Sequence, residues 1–590
     1  MAYRVEAGTQ MGWLNTNWGQ VLAIWLALTV TLSVSVIISG VVPPSGGDDV
    51  MRLVEAIDLF NGQSWFDTTQ YRDNTPYGAP MHWSRLIDAP LVALMALFTP
   101  FAQDAAPRWA AFVWPPLVLL AVVALVAEVT ERVAGKAARL PALALLAFSI
   151  AAYTEFVPGR IDHHNVQLAL TLLMILACLE GRFRLGWAVA AGVTTATGLA
   201  IGTEILPSLV SALVCFALYW VVDPHQSKPM VLAFAASFAA AVLFHFLLAT
   251  PPALWLSPAC DALSITYLTA AIGYAAAVLI AVSLTPWLRH TASRFVVLAI
   301  LGCAVLAMVL WLFPSCRLGP YGDLDADLAT IYLSEIGEAQ PIWLWGSVWR
   351  SEIALAVTPI LGTIAVLIVT CLVPSRERWR WLVLAGFSAA LFIIFCLQIR
   401  GFRLLTIAVL PGAAWIVARV IAWFRARQSL GSAVVAGLTL LAFAGATHLY
   451  VFSLLFASAP KTAEAASFAA CVEQDAYEPL AALPPARLMN YIIIGPQILM
   501  RTPHAIVSAG YHRNEQGLRD MISFYRDGEA QARDVAEERD LDYLVFCRGV
   551  PATNGLAGLP DFDGHDWPWL KRISGPEEPL QIYAIDLSQQ

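Results

Sequence analysis

The sequence predicts a polytopic α-helical membrane protein of about thirteen transmembrane helices, followed by a small α/β domain outside the membrane. Three observations carry that expectation. Of 590 residues, 58% are hydrophobic and only 13% charged, with a mean hydropathy of +0.66. Soluble domains run near 25% charged, and disordered chains are far less apolar, so a cytosolic enzyme and a disordered chain are both excluded. The apolar residues gather in runs long enough to cross a bilayer, which takes about 20 helical residues. The charge is also uneven: residues 458–590 hold 11 Lys/Arg against 19 Asp/Glu, whereas residues 1–457 hold 24 of each. The net charge of −8 therefore lies in the tail.

Candidate spans lie near 18–41, 110–130, 140–157, 165–180, 187–203, 205–222, 229–249, 267–287, 295–313, 353–373, 381–399, 404–424 and 431–457. The first apolar run, Val21–Val42, is too long for a signal-peptide core and lacks an A-x-A-like cleavage site, so it reads as a retained span. A cytoplasmic N-terminus puts Arg132, Lys136, Arg139, Arg182, Arg184, Lys228, Arg289, Arg294, Arg376, Arg378, Arg380, Arg425 and Arg427 inside, the positive-inside bias. Thirteen spans then place the tail in a bacterial periplasm, with residues 1–457 in the inner membrane and 458–590 as a separate domain. The outer segments 43–109, 251–266 and 314–352 are long, which in a compact protein usually means function.

In the tail, β-like runs at Leu488–Ile494, Ala505–Ser508, Tyr543–Phe546 and Gln581–Ile585 alternate with helix-like stretches at Glu515–Asp527 and Glu529–Arg539. That alternation reads as a small α/β domain. No phosphate-binding glycine loop or nucleic-acid signature is present, and no nucleic-acid partner is expected. Five cysteines fall in spans as small apolar fillers; Cys260, Cys316, Cys471 and Cys547 lie outside. An even number in an oxidising compartment suggests a Cys260–Cys316 disulfide between loops and a Cys471–Cys547 disulfide in the tail.

Ionisable residues near membrane depth are costly and mark function by default. Asp48 and Asp49 stand just past the first span, followed by Arg52. A helix N-cap needs only one Asp, and two adjacent carboxylates stay ionised only beside a cation or several donors. Between spans three and four, Asp162 and His164 (with His163 between them) can face one ion from an extended loop. Carboxylate oxygen suits a hard cation, and imidazole extends the choice to Mn or Zn. Glu335 and Glu338 follow span nine, where a solvated acidic loop is an equally good reading. Arg400 and Arg403 stand at the outer end of span eleven, against the positive-inside trend, so an anionic partner is expected. The planar guanidinium suits phosphate. His512 and Arg513 form a polar turn in the tail, able to approach substrate or membrane. Carboxylates and His for a metal beside Arg for phosphate suggest transfer from a phosphorylated lipid.

At these residues the chain resembles the GT-C membrane glycosyltransferases, specifically the catalytic subunit of oligosaccharyltransferases. That family has thirteen spans and an outer C-terminal domain. Its first outer loop carries a catalytic Asp a few positions before an Arg and a later Gly, as in Asp48-Asp49-Val50-Met51-Arg52 and Gly62. Its second loop carries a D-x-D, DNE or, in archaeal members, DHH motif, which Asp162-His163-His164 resembles. Its late loop carries an S-V-S-E-H-Q-P-like element, similar to Ile336-Gly337-Glu338-Ala339-Gln340-Pro341. Its eleventh span carries an Arg ahead of an apolar run ending in Pro, similar to Arg403 to Pro411. The four motifs come in order and cover about residues 18–457.

The resemblance implies a metal-dependent, inverting transfer of a sugar or oligosaccharide from a polyprenyl-phosphate or pyrophosphate lipid to a glycan, lipid or protein acceptor. It implies Asp48 and Asp49 as catalytic residues. It implies Asp49, Asp162, His164 and Glu338 as ligands of Mg, Mn or Zn, and Arg403 with Arg400 on the lipid phosphate. Arg52, His163, Glu335, His512 and Arg513 are further candidates. The chain departs from the family at the WWDYG motif, which recognises the acceptor sequon: Leu488 to Gly495 has neither the Trp pair nor the Asp. Transfer to asparagine is therefore not expected. Two alternatives stay open. One is a metal-independent GT-C transferase using a polyprenyl monophosphate sugar, like the aminoarabinose and protein O-mannosyl transferases. The other is a lipid-linked glycan transporter, for which no inverted repeat is visible.

Overall fold

The computed structural model describes residues 18–590 apart from 40–43, 45, 323, 326–327, 330–335, 348–352, 456–469, 472, 474, 549–566 and 590. Glu335 lies outside the described residues. In lipid every backbone N–H and C=O must be bonded within its own segment, so each long apolar run becomes a helix. Among the described residues, ten helices are long and apolar enough to cross a membrane, or eleven if one bent pair counts as a span.

The helices, in chain order, are α1 (Trp18–Ser39), α2 (Gly47–Phe60), α3 (Arg85–Ala102), α4 (Ala106–Ala134), α5 (Lys136–Ala147), α6 (Ile150–Glu155), α7 (His164–Gly181), α8 (Leu185–Ile201) and α9 (Leu206–Val222). They continue with α10 (Lys228–Ala249), α11 (Ile265–Ser283), α12 (Thr291–Leu312), α13 (Ile353–Leu372), α14 (Ser375–Leu397), α15 (Phe402–Arg427), α16 (Leu430–Phe443) and α17 (Gly445–Leu455). All thirteen apolar runs are helical, but three are not whole straight spans. The third divides into α5 and α6, the fifth is the 17-residue α8, and the last divides into α16 and α17, bent by 85°. The two breaks answer each other: the Phe148 carbonyl freed between α5 and α6 accepts a hydrogen bond from Ala446 N–H at the start of α17, 2.9 Å away. Broken helices survive at membrane depth where a neighbour satisfies the freed group.

The first outer segment folds into α2, α3 and the short antiparallel pair β1 (Thr69–Gln70) and β2 (Ala79–Pro80). The tail carries a five-stranded sheet of β3 (Arg487–Asn490), β4 (Ala505–Ile506), β5 (Tyr543–Cys547), β6 (Leu570–Arg572) and β7 (Leu580–Ile585). Its order is β4-β3-β5-β7-β6, parallel across β4-β3-β5 and antiparallel across β5-β7-β6. Disulfides join Cys260 to Cys316 and Cys471 to Cys547. The outer segment is built into the tail domain. Thr75 N–H donates to Ile506 O and Ile506 N–H to Arg72 O, at 2.9 and 2.7 Å, extending the sheet beyond β4. Buried Arg539 donates to Thr75 O and Asn74 Oδ1. One face of the molecule is thus formed by several loops and the tail together.

Candidate catalytic cleft

Helix α2 is preceded by Gly46 in extended backbone, with Asp48 and Asp49 in its first turn, where the helix dipole favours negative charge. The two acids then diverge. Asp49 is buried and faces the second outer loop: Oδ1 accepts N–H bonds from Ile161 (2.9 Å) and Asp162 (3.0 Å), and Oδ2 accepts from Arg160 (2.6 Å). Asp48 reaches the solvent of the cleft and accepts a bond from the Tyr511 hydroxyl of the tail at 3.3 Å.

Asp162 is nearly inaccessible and sits between two imidazoles. Its Oδ1 is 2.6 Å from His163 Nδ1, and its Oδ2 is 3.3 Å from His164 Nε2. His163 Nε2 lies 3.3 Å from Glu204, so a carboxylate faces each of its ring nitrogens. His164 Nδ1 lies 3.3 Å from Gln167 Oε1, which fixes the ring with Nε2 toward Asp162. A hydrogen-bond partner on the far ring nitrogen is how metal-ligating His is usually oriented.

Arg403, at the start of α15, makes ion pairs with Glu155 (2.7 Å) and Glu338 (2.8 Å). Glu155, fully buried at the end of α6, also holds Arg160 at 3.1 Å. Arg400 stands 3.8 Å from Glu204. A narrow cleft lined by His164, Gln167, Glu204, Arg400, Arg403 and Leu404 runs between α7 and α15.

The electrostatics follow. Partial desolvation in the cleft, then the fields of Asp162, Glu338 and Asp49, raise the Asp48 carboxyl above its usual range, with Arg160 opposing. Burial also raises Asp49, to about 6, against the pull of Arg160. Asp162 goes the other way. Despite burial, His163 and His164 hold it well below the usual carboxylate range. His163 is raised to about 10, because Asp162 and Glu204 outweigh its desolvation, and it is an imidazolium at neutral pH. Despite burial, Arg403 and His164 lower Glu338.

The cleft therefore gathers Asp48, Asp49, Asp162, His163, His164, Glu338, Arg400 and Arg403 from four separate segments. It also contains Glu155, Arg160 and Glu204, which the motifs did not single out as ligands or catalytic groups. Glu155 and Glu204 are lone acids in or beside apolar runs, which was the signal available for them. Three candidates are used elsewhere. Buried Arg52 pairs with Asp88 at 3.1 Å and lies over the Trp83 ring at 4.3 Å, tying α2 to α3. His512 and Arg513 both bind Asp261, each at 2.8 Å, so the tail turn reaches Asp48 through Tyr511. In the strand comparable to the sequon reader, the Asn490 amide is buried and donates to Ser508 O and Tyr491 O.

No family model matches the chain, and no curated protein matches it in sequence. Solved structures do match in fold. Oligosaccharyltransferase AglB from Archaeoglobus fulgidus, in complex with an inhibitory peptide and a dolichol-phosphate, superimposes with a TM-score of 0.69 at 14% identity, over 97% of this chain and 75% of the other. The same enzyme tethered to an acceptor peptide containing the NVT sequon gives 0.67 at 14% identity, over 98% and 75%. Its complex with Zn and sulfate gives 0.61 at 15%, over 96% and 73%. The chain shares the fold of these structures.

Proposed function

We propose that the chain is a membrane glycosyltransferase that moves a sugar or oligosaccharide from a polyprenyl-phosphate or pyrophosphate lipid to an acceptor outside a bacterial inner membrane. Its N-terminus would be cytoplasmic, its body residues 1–457 and its periplasmic domain 458–590. The observation that carries this reading is the convergence of Asp48, Asp49, Asp162, His164, Glu338 and Arg403 on one outward cleft. That the relative has been solved with a dolichol-phosphate supports a lipid donor.

In this scheme Arg403 and Arg400 bind the donor phosphate, with the lipid tail along Leu404 and the apolar wall of the cleft. Asp48, which faces the cleft, orients the acceptor nucleophile and takes its proton as the nucleophile bonds to the anomeric carbon. The bond from that carbon to the phosphate oxygen breaks on the opposite face, and the configuration inverts. Asp49 and Arg160 hold the second loop in place. Six carboxylates in the cleft (Asp48, Asp49, Glu155, Asp162, Glu204, Glu338) outnumber the cations Arg160, His163, Arg400 and Arg403, so the donor set fits a divalent cation held by Asp162 and His164 with Asp49 and Glu338 beside them. Such an ion, Mg, Mn or Zn, would neutralise charge on the departing phosphate. The relative's complex with Zn supports that fit. The absence of the Trp pair and Asp at Leu488–Gly495 argues for a glycan, lipid or other protein group as acceptor.

Asp49→Asn, Asp162→Asn and Arg403→Ala are expected to abolish transfer while the chain is still made. The readout is the surface glycans and glycolipids of a deletion strain complemented with each variant; wild-type products from all three overturn the reading. A second reading, a metal-independent transferase using a monophosphate donor, is favoured by one observation: Arg160 already occupies Asp49 Oδ2. Activity that survives thorough chelation selects it.

A further inference from the structure

Beside this cleft, three metal-ligating side chains meet at the wall of a second cavity of about 410 Å³, lined by the first outer segment, the 251–264 loop, Pro320, Tyr321, Leu324 and the tail domain. They are His82, Asp261 and His512, whose ligand atoms all lie within 4.8 Å of one another. We propose that these three residues form a second divalent-cation site, of zinc-type chemistry, that clamps the tail domain to the outer loops.

Four features support it. His82 Nδ1 is buried and has no hydrogen-bond partner, an arrangement that costs free energy unless something binds there. The rings of His82 and His512 stand 4.6 Å apart, tilted, with Asp261 Oδ2 2.8 Å from His512 Nε2. Asp261 is held in place: Arg513 donates to both of its oxygens, and the neighbouring Cys260 is fixed by its disulfide and by the Tyr267 hydroxyl on its carbonyl. Outer-shell hydrogen bonds of this kind orient metal-binding carboxylates. Two imidazoles and one carboxylate, with a fourth position open to the cavity, is a common donor set for zinc. To bind, His512 presents the lone pair of Nε2, now 2.8 Å from Asp261 Oδ2, to the ion, with its ring proton on Nδ1. The Arg513 charge is offset locally by Asp261, 2.8 Å away. A narrow cleft lined by His82, His163, Glu204 and Asp261 lies between this cluster and the Asp162–His164 pair, with no ligand atom shared.

The inference stands independently of the transferase reading, because its test counts metal and not product. The full chain in detergent is stripped with chelator and reloaded with Zn²⁺ or Co²⁺ alone. Wild type is expected to hold one more equivalent than His512→Ala or the volume-conserving His82→Gln. In an Asp162→Asn background, which removes the other cluster, Co²⁺ is expected to give a visible absorption band that vanishes on adding His512→Ala. Zn²⁺ is likewise expected to raise the Tm of Asp162→Asn but not of Asp162→Asn/His512→Ala. Wild-type stoichiometry in both single variants, or a cobalt band that survives His512→Ala, overturns the site.

Discussion

Glu155 is the point where two arginines meet, with one carboxylate oxygen on Arg403 and the other on Arg160. Through Arg160 it is coupled to Asp49, so a single buried acid sets the spacing between the proposed phosphate contact and the first outer loop. Removing one partner of a buried ion pair costs about 3–5 kcal/mol, since the other charge is left uncompensated. Glu155→Gln is therefore expected to loosen both arginines, with transfer falling about 10- to 100-fold and the chain still assembling, read by product formation against folded yield. Gly46 tests the other end of the chain of contacts. A Cβ there would lie 2.8 Å from Asp49 Oδ2 and 3.6 Å from Arg160. Gly46→Ala should displace that pair and lower transfer by about tenfold with little change in Tm. The motifs made Asp49, Asp162 and Arg403 legible, because their residue types and order are chemical. Glu155 and Glu204 were legible only as misplaced charges, since nothing local says which arginine or histidine a lone acid will meet.

At the scale of elements, the breaks in the third and last apolar runs matter most. Hydropathy is summed along the chain and does not distinguish a straight span from one interrupted at Phe148 or Ala444. The interruption is decided by a neighbour, because Ala446 N–H must reach Phe148 O. That approach needs Gly445, where a Cβ would come within 3.2 Å of the Phe148 carbonyl and 3.3 Å of Ile150 N. Gly445→Val is expected to push the two helix ends apart and destabilise the chain by about 1–3 kcal/mol, seen as a lower Tm in detergent. α6 ends at Glu155, so the same change should also lower transfer.

At the scale of the whole molecule, the segment that holds β1 and β2 and the tail are bonded together on one face. Asp73 sits at their junction, buried, with Oδ1 accepting from Asn514 Nδ2 and Asn74 N–H, and Oδ2 without a donor. Burial pushes its carboxyl up from 3.8 to about 7, against those hydrogen bonds and the field of Arg539. The folded chain then keeps a proton that the unfolded chain releases above about 4. Stability from this group is full below that pH and falls as pH rises toward 7, by up to about 1.4 kcal/mol per unit. Asp73→Asn should flatten this slope, read as Tm or hydrogen exchange of the tail between about pH 4 and 7. An unchanged slope would assign the pH response to other groups.

The sequence by itself determined a helical membrane body with a charged α/β tail, and the outer loops that bear acids, His and Arg. Those follow from transfer of apolar groups out of water and from residue chemistry, both of which are local. Only the tertiary structure decided which charges pair. It placed Arg160 on Asp49, took Arg52 away to Asp88, brought Tyr511 rather than His512 to Asp48, and joined His82 to Asp261 and His512 across three segments. Ion pairing depends on distance and burial between segments remote in the chain, so these pairings exist only once the helices have packed.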